Sequence, residues 1–307
     1  MNKPNPTDGL SSPSHSQQHS DLIDGKNIYD ATEKTTPVDA DVLAMCDSVA
    51  SYIIKKLTWA NLKAALGSGW SPYSAVTPTR ASADDPTYVL TFAGVDLTGA
   101  MSVGMKVKFT QNSATVYGII TAISFSTNTT MTLYCGTDYD VLDTGTYAIS
   151  AFNYSPHKAP FGFPLNPTKW TVEATDTTQR SQASPTNETW YNLGSVTISI
   201  PIGSWNTEFF VLAGVDRTTA GYLSVFATLS TANDSESDTD LTGSGFWNFD
   251  NSASVWAYTF ICRRKTLNLA SKTSYYLNTK TIESSIANIY NPGNYSKTII
   301  RAVCAYL

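Results

Sequence analysis

Val196-Thr-Ile-Ser-Ile200 alternates apolar and small polar residues without a break. Successive side chains of an extended strand point to opposite faces. The pattern therefore puts Val196, Ile198 and Ile200 on one apolar face and Thr197 and Ser199 on the other. Similar runs, bounded by Gly, Asn, Asp and Ser turns, recur on both sides of it. The stretches 189–193, 195–200, 208–212, 222–230, 246–249, 255–267, 274–281 and 298–306 all read as strands. Eight short strands with polar turns predict a jelly-roll-like antiparallel β-sandwich over residues 170–307.

Toward the N-terminus the pattern repeats in a smaller block. Stretches 88–92, 105–110, 114–126, 131–135 and 147–152, separated by turns at Gly99, Gly104, Asn112 and Asn128, predict a small β-barrel or sandwich over residues 70–155. Between the blocks, Pro156, Pro160, Pro164 and Pro167 surround Phe161-Gly-Phe163, and residues 156–169 read as a stiff linker. The fold class expected is mainly β.

Composition agrees. A chain of 307 residues with 42% apolar and 12% aromatic content can bury the cores of two or three domains. Only 15% of residues are charged, and Ser, Thr, Asn and Gly dominate the polar positions, as suits many-stranded structure with polar turns. A net charge of −5 and the absence of a dense Lys/Arg stripe exclude counterion release as a drive, so no nucleic acid partner is expected. Residues 1–20 are rich in Ser, Pro, Gln, Asn and His, with little to bury. They lack the apolar core of a secretion signal, and no run of the chain approaches membrane-spanning length. The expectation is a chain made in the cytosol, without membrane insertion, whose residues 1–35 form an extended polar anchor held on a partner surface. Cys46, Cys135, Cys262 and Cys304 are widely spaced in apolar runs and read as buried free thiols. Asn-x-Ser/Thr sites at Asn128, Asn187, Asn233 and Asn294 read as turns.

Residues 36–69 admit two readings. Thr36-Pro-Val-Asp39 could start a helix that continues through Val42, Met45, Val49 and Ile53. The preferred reading takes Asp41-Val-Leu-Ala-Met-Cys-Asp47 and the β-branched run after Tyr52 as a hairpin, with Thr58 capping a short helix from Trp59. An isolated two-stranded hairpin is marginal in water, and so is an isolated short helix. Ile53, Leu57, Trp59 and Leu62 are therefore expected to be covered by another protein surface, as an oligomerisation and connector module.

The string Thr35-Thr-Pro-Val-Asp-Ala-Asp41, with Lys55-Lys-Leu-Thr-Trp-Ala-Asn-Leu-Lys63, resembles a connector module of bacteriophage tail-fibre and other virion appendage proteins. A second stretch, from Asp85-Pro-Thr-Tyr-Val-Leu-Thr-Phe-Ala-Gly94 to Lys169-Trp170, resembles a domain of phage structural proteins. The resemblance implies a homotrimer in the virion, joined to other virion proteins through residues 1–66, acting as a tail fibre or host-receptor-binding appendage. A head fibre or a capsid or tail decoration protein is the alternative.

No motif carries catalysis. His15, His19 and His157 lie away from any candidate acid or nucleophile, and no cofactor or metal is expected. Asp138, Asp140 and Asp143, like the run Asp234-Ser-Glu-Ser-Asp-Thr-Asp240, have Ca²⁺-like spacing, but solvated turns are the simpler reading. Arg263-Arg-Lys265 reads as a guard on an edge strand. A host surface glycan would need flat rings flanked by hydrogen-bonding side chains. Trp247, Asp250, Tyr290, Asn291 and Tyr295 are the candidates, whereas Trp205 and Trp256 sit inside apolar alternation and are expected in the core. A less favoured alternative is a depolymerase using two carboxylates among Glu173, Glu188, Glu208 and Asp216.

Overall fold

The computed structural model describes residues 35–47, 53–194, 196–249 and 255–307. The chain divides into two compact units, Met1–Leu66 and Gly67–Leu307.

In the first unit, β1 (Val42–Asp47) and β2 (Ile53–Thr58) pair antiparallel, with Leu43 opposite Leu57 and Cys46 opposite Ile54. Helix α1 (Trp59–Ser68) starts where β2 stops. Thr58 caps it, its Oγ1 accepting from the backbone N–H of Asn61 at 3.2 Å, which satisfies one of the first-turn donors. Residues 35–41 form bends and turns rather than a helix. Val38 N–H donates to the Asp41 carboxylate at 2.7 Å, and Trp59 N–H donates to the Asp41 carbonyl at 2.7 Å, which fixes where the hairpin begins. The helical alternative starting at Thr36 is thus not adopted.

The second unit opens with a seven-stranded antiparallel sheet. Its strands are β3 (Ser71–Pro72), β4 (Thr79–Asp84), β5 (Thr87–Phe92), β6 (Lys106–Gln111), β7 (Ala114–Phe125), β8 (Thr129–Tyr134) and β9 (Ser150–Ser155). They lie in the order β3-β9-β6-β7-β8-β5-β4. The two outer strands do not pair with each other, so no barrel closes. Leu90, Phe92, Val107, Phe109, Ile120, Met131 and Leu133 fill its core.

Ten further strands build an antiparallel sandwich. They are β10 (Thr171–Asp176), β11 (Gln179–Ala183), β12 (Thr197–Ile200), β13 (Gly203–Arg217), β14 (Gly221–Ser230), β15 (Thr242–Phe249), β16 (Val255–Leu269), β17 (Thr273–Lys280), β18 (Ile286–Pro292) and β19 (Thr298–Cys304). Strands β12-β17-β14-β15 form one sheet. The other is organised on β13. Along one side β13 pairs with β16 over all fifteen of its residues. Along the other it pairs first with β19 and then with β18, which carry β10 and β11 outward. Trp205, Phe209, Val211, Ala213 and Val215 of β13 face Ile198, Ile200, Leu223, Val225 and Leu277 across the core.

Three sequence expectations are corrected here. Residues 189–193 contribute only a bridge between Tyr191 and Thr279, not a strand. Strands β3, β4, β10, β11 and β18 were not anticipated. β10 and β11 are outer strands, each paired on one side, and their Thr-Val-Glu-Ala-Thr-Asp and Gln-Arg-Ser-Gln-Ala sequences hold little apolar signal. Finally, the proline-rich segment 156–169, though mostly exposed, is pinned where Pro160 and Phe163 are buried. Phe163 and Trp170 are buried in the same cluster as Ile119 and Tyr134 of the seven-stranded sheet and Trp205 of β13, so the two lobes keep separate cores but meet at a packed contact.

Candidate functional site

On β13 the residues facing away from the core are Asn206, Glu208, Phe210, Leu212, Gly214 and Asp216, one face of an alternating strand. Their partners across the ladder to β16 are Cys262 for Phe210, Phe260 for Leu212, Tyr258 for Gly214 and Trp256 for Asp216. On the opposite side, Tyr290 pairs with Gly214 and Asn288 with Asp216. Cross-strand partners share a face, so these side chains meet on the outer surface of the six-stranded sheet.

The rings sit outside because the inside of β16 has no room for them. Its inward residues Val255, Ala257, Thr259 and Ile261 are small or branched, and β15 presses against them through Gly243 and Gly245. A Cβ at Gly243 would lie 2.5 Å from Ile261 Cγ2, and one at Gly245 would lie 2.7 Å from Thr259 Cγ2. Tyr258 in turn lies over Gly214, where a Cβ would come within 2.5 Å of its ring. Trp256 stacks on Tyr290, centroids 5.3 Å apart and planes inclined by 22°. Trp256 remains 53% exposed and Phe260 71% exposed.

Asp216 lies among these rings and is only 8% exposed. Its Oδ2 accepts from Asn288 Nδ2 at 3.2 Å, and the Tyr290 hydroxyl lies against the same buried carboxylate. Burial, followed by the Asp216 carboxylate, pushes the Tyr290 phenol up from its ordinary value. Burial also raises that of Tyr258, with smaller contributions from Tyr295 and Asp216.

The five residues expected to hold a glycan are therefore dispersed. Tyr290 lies on the platform but beneath Trp256, and Tyr295, 75% exposed, stands at its margin. Asn291 is 1% exposed on the inner face of β18, where its Oδ1 accepts from Thr279, so strand alternation removes it from the surface. Trp247 pairs with the buried Leu223 and packs against the core instead of projecting from a loop. Asp250 lies outside the described residues. Trp205 is fully buried as expected, whereas Trp256, expected in the core, is on the outside. The period-two pattern of 255–261 was legible, but which face turned inward depended on the glycines of β15. Tyr258 and Asn288 were missed because nothing local marks them.

Cysteine placement splits the same way: Cys135 and Cys304 are buried, but Cys262 is exposed on the outer face of β16. Strand β16 pairs only with β13, so Arg263, Arg264 and Lys265 do lie on an edge strand. Lys265 bonds Asp238 at 2.6 Å and Asp240 at 2.9 Å, placing an ammonium where the Ca²⁺ reading would put the ion. Asp140 accepts from Tyr88 at 2.6 Å, and Asp138 pairs with Lys169. Among the described residues no group of three or more His, Cys, Asp or Glu is arranged to hold a metal. Of the carboxylates weighed for catalysis, Glu173 and Glu208 flank Arg301, at 2.7 Å and 3.6 Å, beside an open cavity of about 570 Å³. Arg301 bridges the two carboxylates.

In the hairpin unit, Leu57, Trp59 and Leu62 are half-buried, and the side chain of Ile53 lies outside the described residues. Val42, Leu43, Met45 and Ile54 are exposed, Ile54 by 72%. Because Leu43 and Met45 share one face with Leu57, while Val42 shares the other with Ile54, both faces of the ribbon carry bare apolar side chains. Pro37, Asp41, Val42, Leu43 and Trp59 line a shallow groove of about 340 Å³. Among the described residues no helix is long and apolar enough to cross a membrane.

The fold and surface define an antiparallel β-sandwich protein with an aromatic outer platform. No protein-family model matches the chain, and no curated protein matches it. Among solved structures it is similar to dimeric latent PorU from Porphyromonas gingivalis, with 10% identity, 78% of this chain and 25% of that one covered, and a TM-score of 0.26. It is also similar to the infectious bursal disease virus VP2 subviral particle, with 13% identity, coverage of 87% and 69%, and a TM-score of 0.23. A third is the CBM22-1-CBM22-2 tandem domain of Paenibacillus barcinonensis Xyn10C, with 11% identity, coverage of 90% and 99%, and a TM-score of 0.22. The chain thus spans 25% of the first of these proteins, and likenesses at such TM-scores carry no argument about function.

Proposed function

We propose that the chain is a non-enzymatic structural protein of a bacteriophage particle. In this reading it is a homotrimeric tail fibre or receptor-binding appendage, attached to other virion proteins through residues 1–66. Its β unit meets a host surface glycan. The observation that supports assembly is the hairpin unit, where Val42, Leu43, Met45 and Ile54 are exposed on both faces of a two-stranded ribbon. Burying apolar area contributes about 25 cal/mol per Å², and among the described residues no third strand covers the ribbon. Association of copies covers these side chains at once. The resemblance of residues 35–41 and 55–63 to virion connector modules supports the same reading.

The test uses the difference between a lone chain and an assembled one. Ile54 is 72% exposed in the single chain, so Ile54→Asp in the full-length protein should alter folding by less than about 0.5 kcal/mol. In a trimer it would bury three carboxylates in an apolar seam. Light scattering is expected to give a trimer mass for the parent and a monomer mass for I54D, with unchanged circular dichroism and melting. A monomeric parent, or an I54D protein that stays trimeric, would remove the assembly role from this unit.

A further inference from the structure

We propose that the outer face of the six-stranded sheet is a contact between copies of this chain, with Phe210, Trp256, Tyr258 and Phe260 at its centre and Arg264 on its rim. The inference rests on the reading that copies associate through the hairpin unit, and it goes further by giving the β unit a contact of its own. The four rings occupy successive rows of the β13–β16 ladder. In the row beyond Phe210 the face turns charged, with Arg301, Glu208 and Arg264 abreast. An apolar centre rich in Phe, Tyr and Trp with arginine at its border is the anatomy of a protein–protein interface.

The bare area is of the size such a contact needs. Phe210 and Tyr258 are 40% exposed, Trp256 53%, Phe260 71% and the marginal Tyr295 75%. A ring side chain carries about 150–250 Å² of surface, so these five leave roughly 400–700 Å² uncovered on each copy. Two such faces meeting would remove roughly 800–1,400 Å² from water, against the roughly 1,000 Å² that a specific interface buries. Asp216 is already met by Asn288 and the Tyr290 hydroxyl, so a dry partner can cover the rings without stranding that charge. The two exposed rings of the opposite sheet, Tyr222 and Phe246, leave roughly 200–300 Å², which an ordinary monomer surface carries, and they serve as the control.

Two observations favour a second copy as the occupant. Copies joined through the hairpin unit hold their β units at a high effective concentration, so a face of this size meets its own kind before a dilute partner. The second is the edge of β16, which pairs with β13 alone among the described strands and is open beside the rings. Residues 255–262 of that edge carry no charge, whereas Arg263, Arg264 and Lys265 follow directly. Like charges on identical strands repel, which confines contact between copies to the half of β16 that carries Trp256, Tyr258 and Phe260. A saccharide would find ring faces but no accessible carboxylate beside them, since Asp216 is 8% exposed.

Cys262 reports on this face. It lies across from Phe210 in the row beside Phe260 and is exposed, whereas Cys135 and Cys304 are buried. The full-length protein is treated with iodoacetamide, and the rate is read by mass spectrometry on the peptide that carries Cys262, alongside light scattering. Phe260→Asp is expected to speed labelling of Cys262 roughly tenfold or more over the associated parent, and Phe246→Asp should leave the rate unchanged. A carboxylate near a thiol slows alkylation, so a faster rate in F260D reports uncovering of the face. Trp256→Asp supplies a second variant if F260D fails to fold. An associated parent whose Cys262 reacts no more slowly than in F260D and W256D overturns the contact and spares the role of the hairpin unit. An I54D protein that stays associated with Cys262 protected keeps the contact and sinks the role of the hairpin unit. A parent that is monomeric at every concentration overturns both. Protection of Cys262 that follows added oligosaccharide instead of protein concentration would give the face to a sugar and overturn the contact.

Discussion

Trp170→Ala should lower the stability of the whole Gly67–Leu307 unit by about 3–5 kcal/mol, the usual range for a fully buried tryptophan. Its indole is fully buried, stacks on Phe163 at 5.0 Å and 8°, and meets Tyr134 edge-on at 5.8 Å. Its Nε1 donates to the Pro164 carbonyl at 2.6 Å, so truncation also leaves a buried acceptor without a donor. For a unit of this size that corresponds to a fall in melting temperature of roughly 10 °C. The location matters as much as the magnitude. Tyr134 belongs to the seven-stranded sheet and touches both Trp170 and Trp205, and Trp205 belongs to the sandwich. One calorimetric transition should therefore shift as a whole. If W170A split the transition, leaving the strands of residues 71–155 melting at the parental temperature, the contact of Tyr134 with Trp170 and Trp205 would not couple the two lobes.

A second large effect is expected on the alkaline side. Burial, with help from Asp140 and Asp85, pushes the Tyr88 phenol well above its ordinary value of 10.0. Burial does the same for Tyr134 and Tyr290. Below about pH 10 these phenols are neutral whether the chain is folded or not, and their contribution is intact. Above it, the unfolded chain releases the protons and the folded one keeps them, so stability falls as pH rises. Lys106 acts in the opposite sense. Burial lowers its folded value below 10.5, so the unfolded chain binds the extra proton and stability rises with pH up to that value. Burial lowers Lys108 in the same way, but the three phenols outweigh these two ammoniums, and the tyrosine losses continue after the lysine gains have ended. Thermal melts should drop sharply between about pH 9 and pH 11, and part of the phenolate absorbance should appear only as the fold is lost. If all 17 tyrosines ionised near pH 10 with the fold intact, this burial pattern would be refuted.

The strand runs were legible because a half-buried strand writes its period into the side chains. The runs at 88–92, 114–126 and 222–230 correspond within a residue or two to β5, β7 and β14. The Thr58 cap was legible because capping is local, whereas the hairpin was preferred to a helix chiefly on the resemblance of residues 35–63. Outer strands β10 and β11 were not, because each pairs on one side and needs few apolar residues. The proline-rich segment read as a linker because prolines interrupt periodicity, although Phe163 within it is buried against Trp170 just after it.

By itself, the sequence determined that this chain is mainly β, that Thr58 caps a short helix, and that Trp205 is a core residue. These follow from backbone periodicity and local hydrogen bonding, which act between near neighbours. Only the tertiary structure decided that Trp256 and Tyr258 lie outside. The deciding contacts come from Gly243 and Gly245 on β15 and from Gly214 on β13, at least ten residues away in the chain. Alternation says that two faces differ, and the space left by the neighbouring sheet says which one points inward.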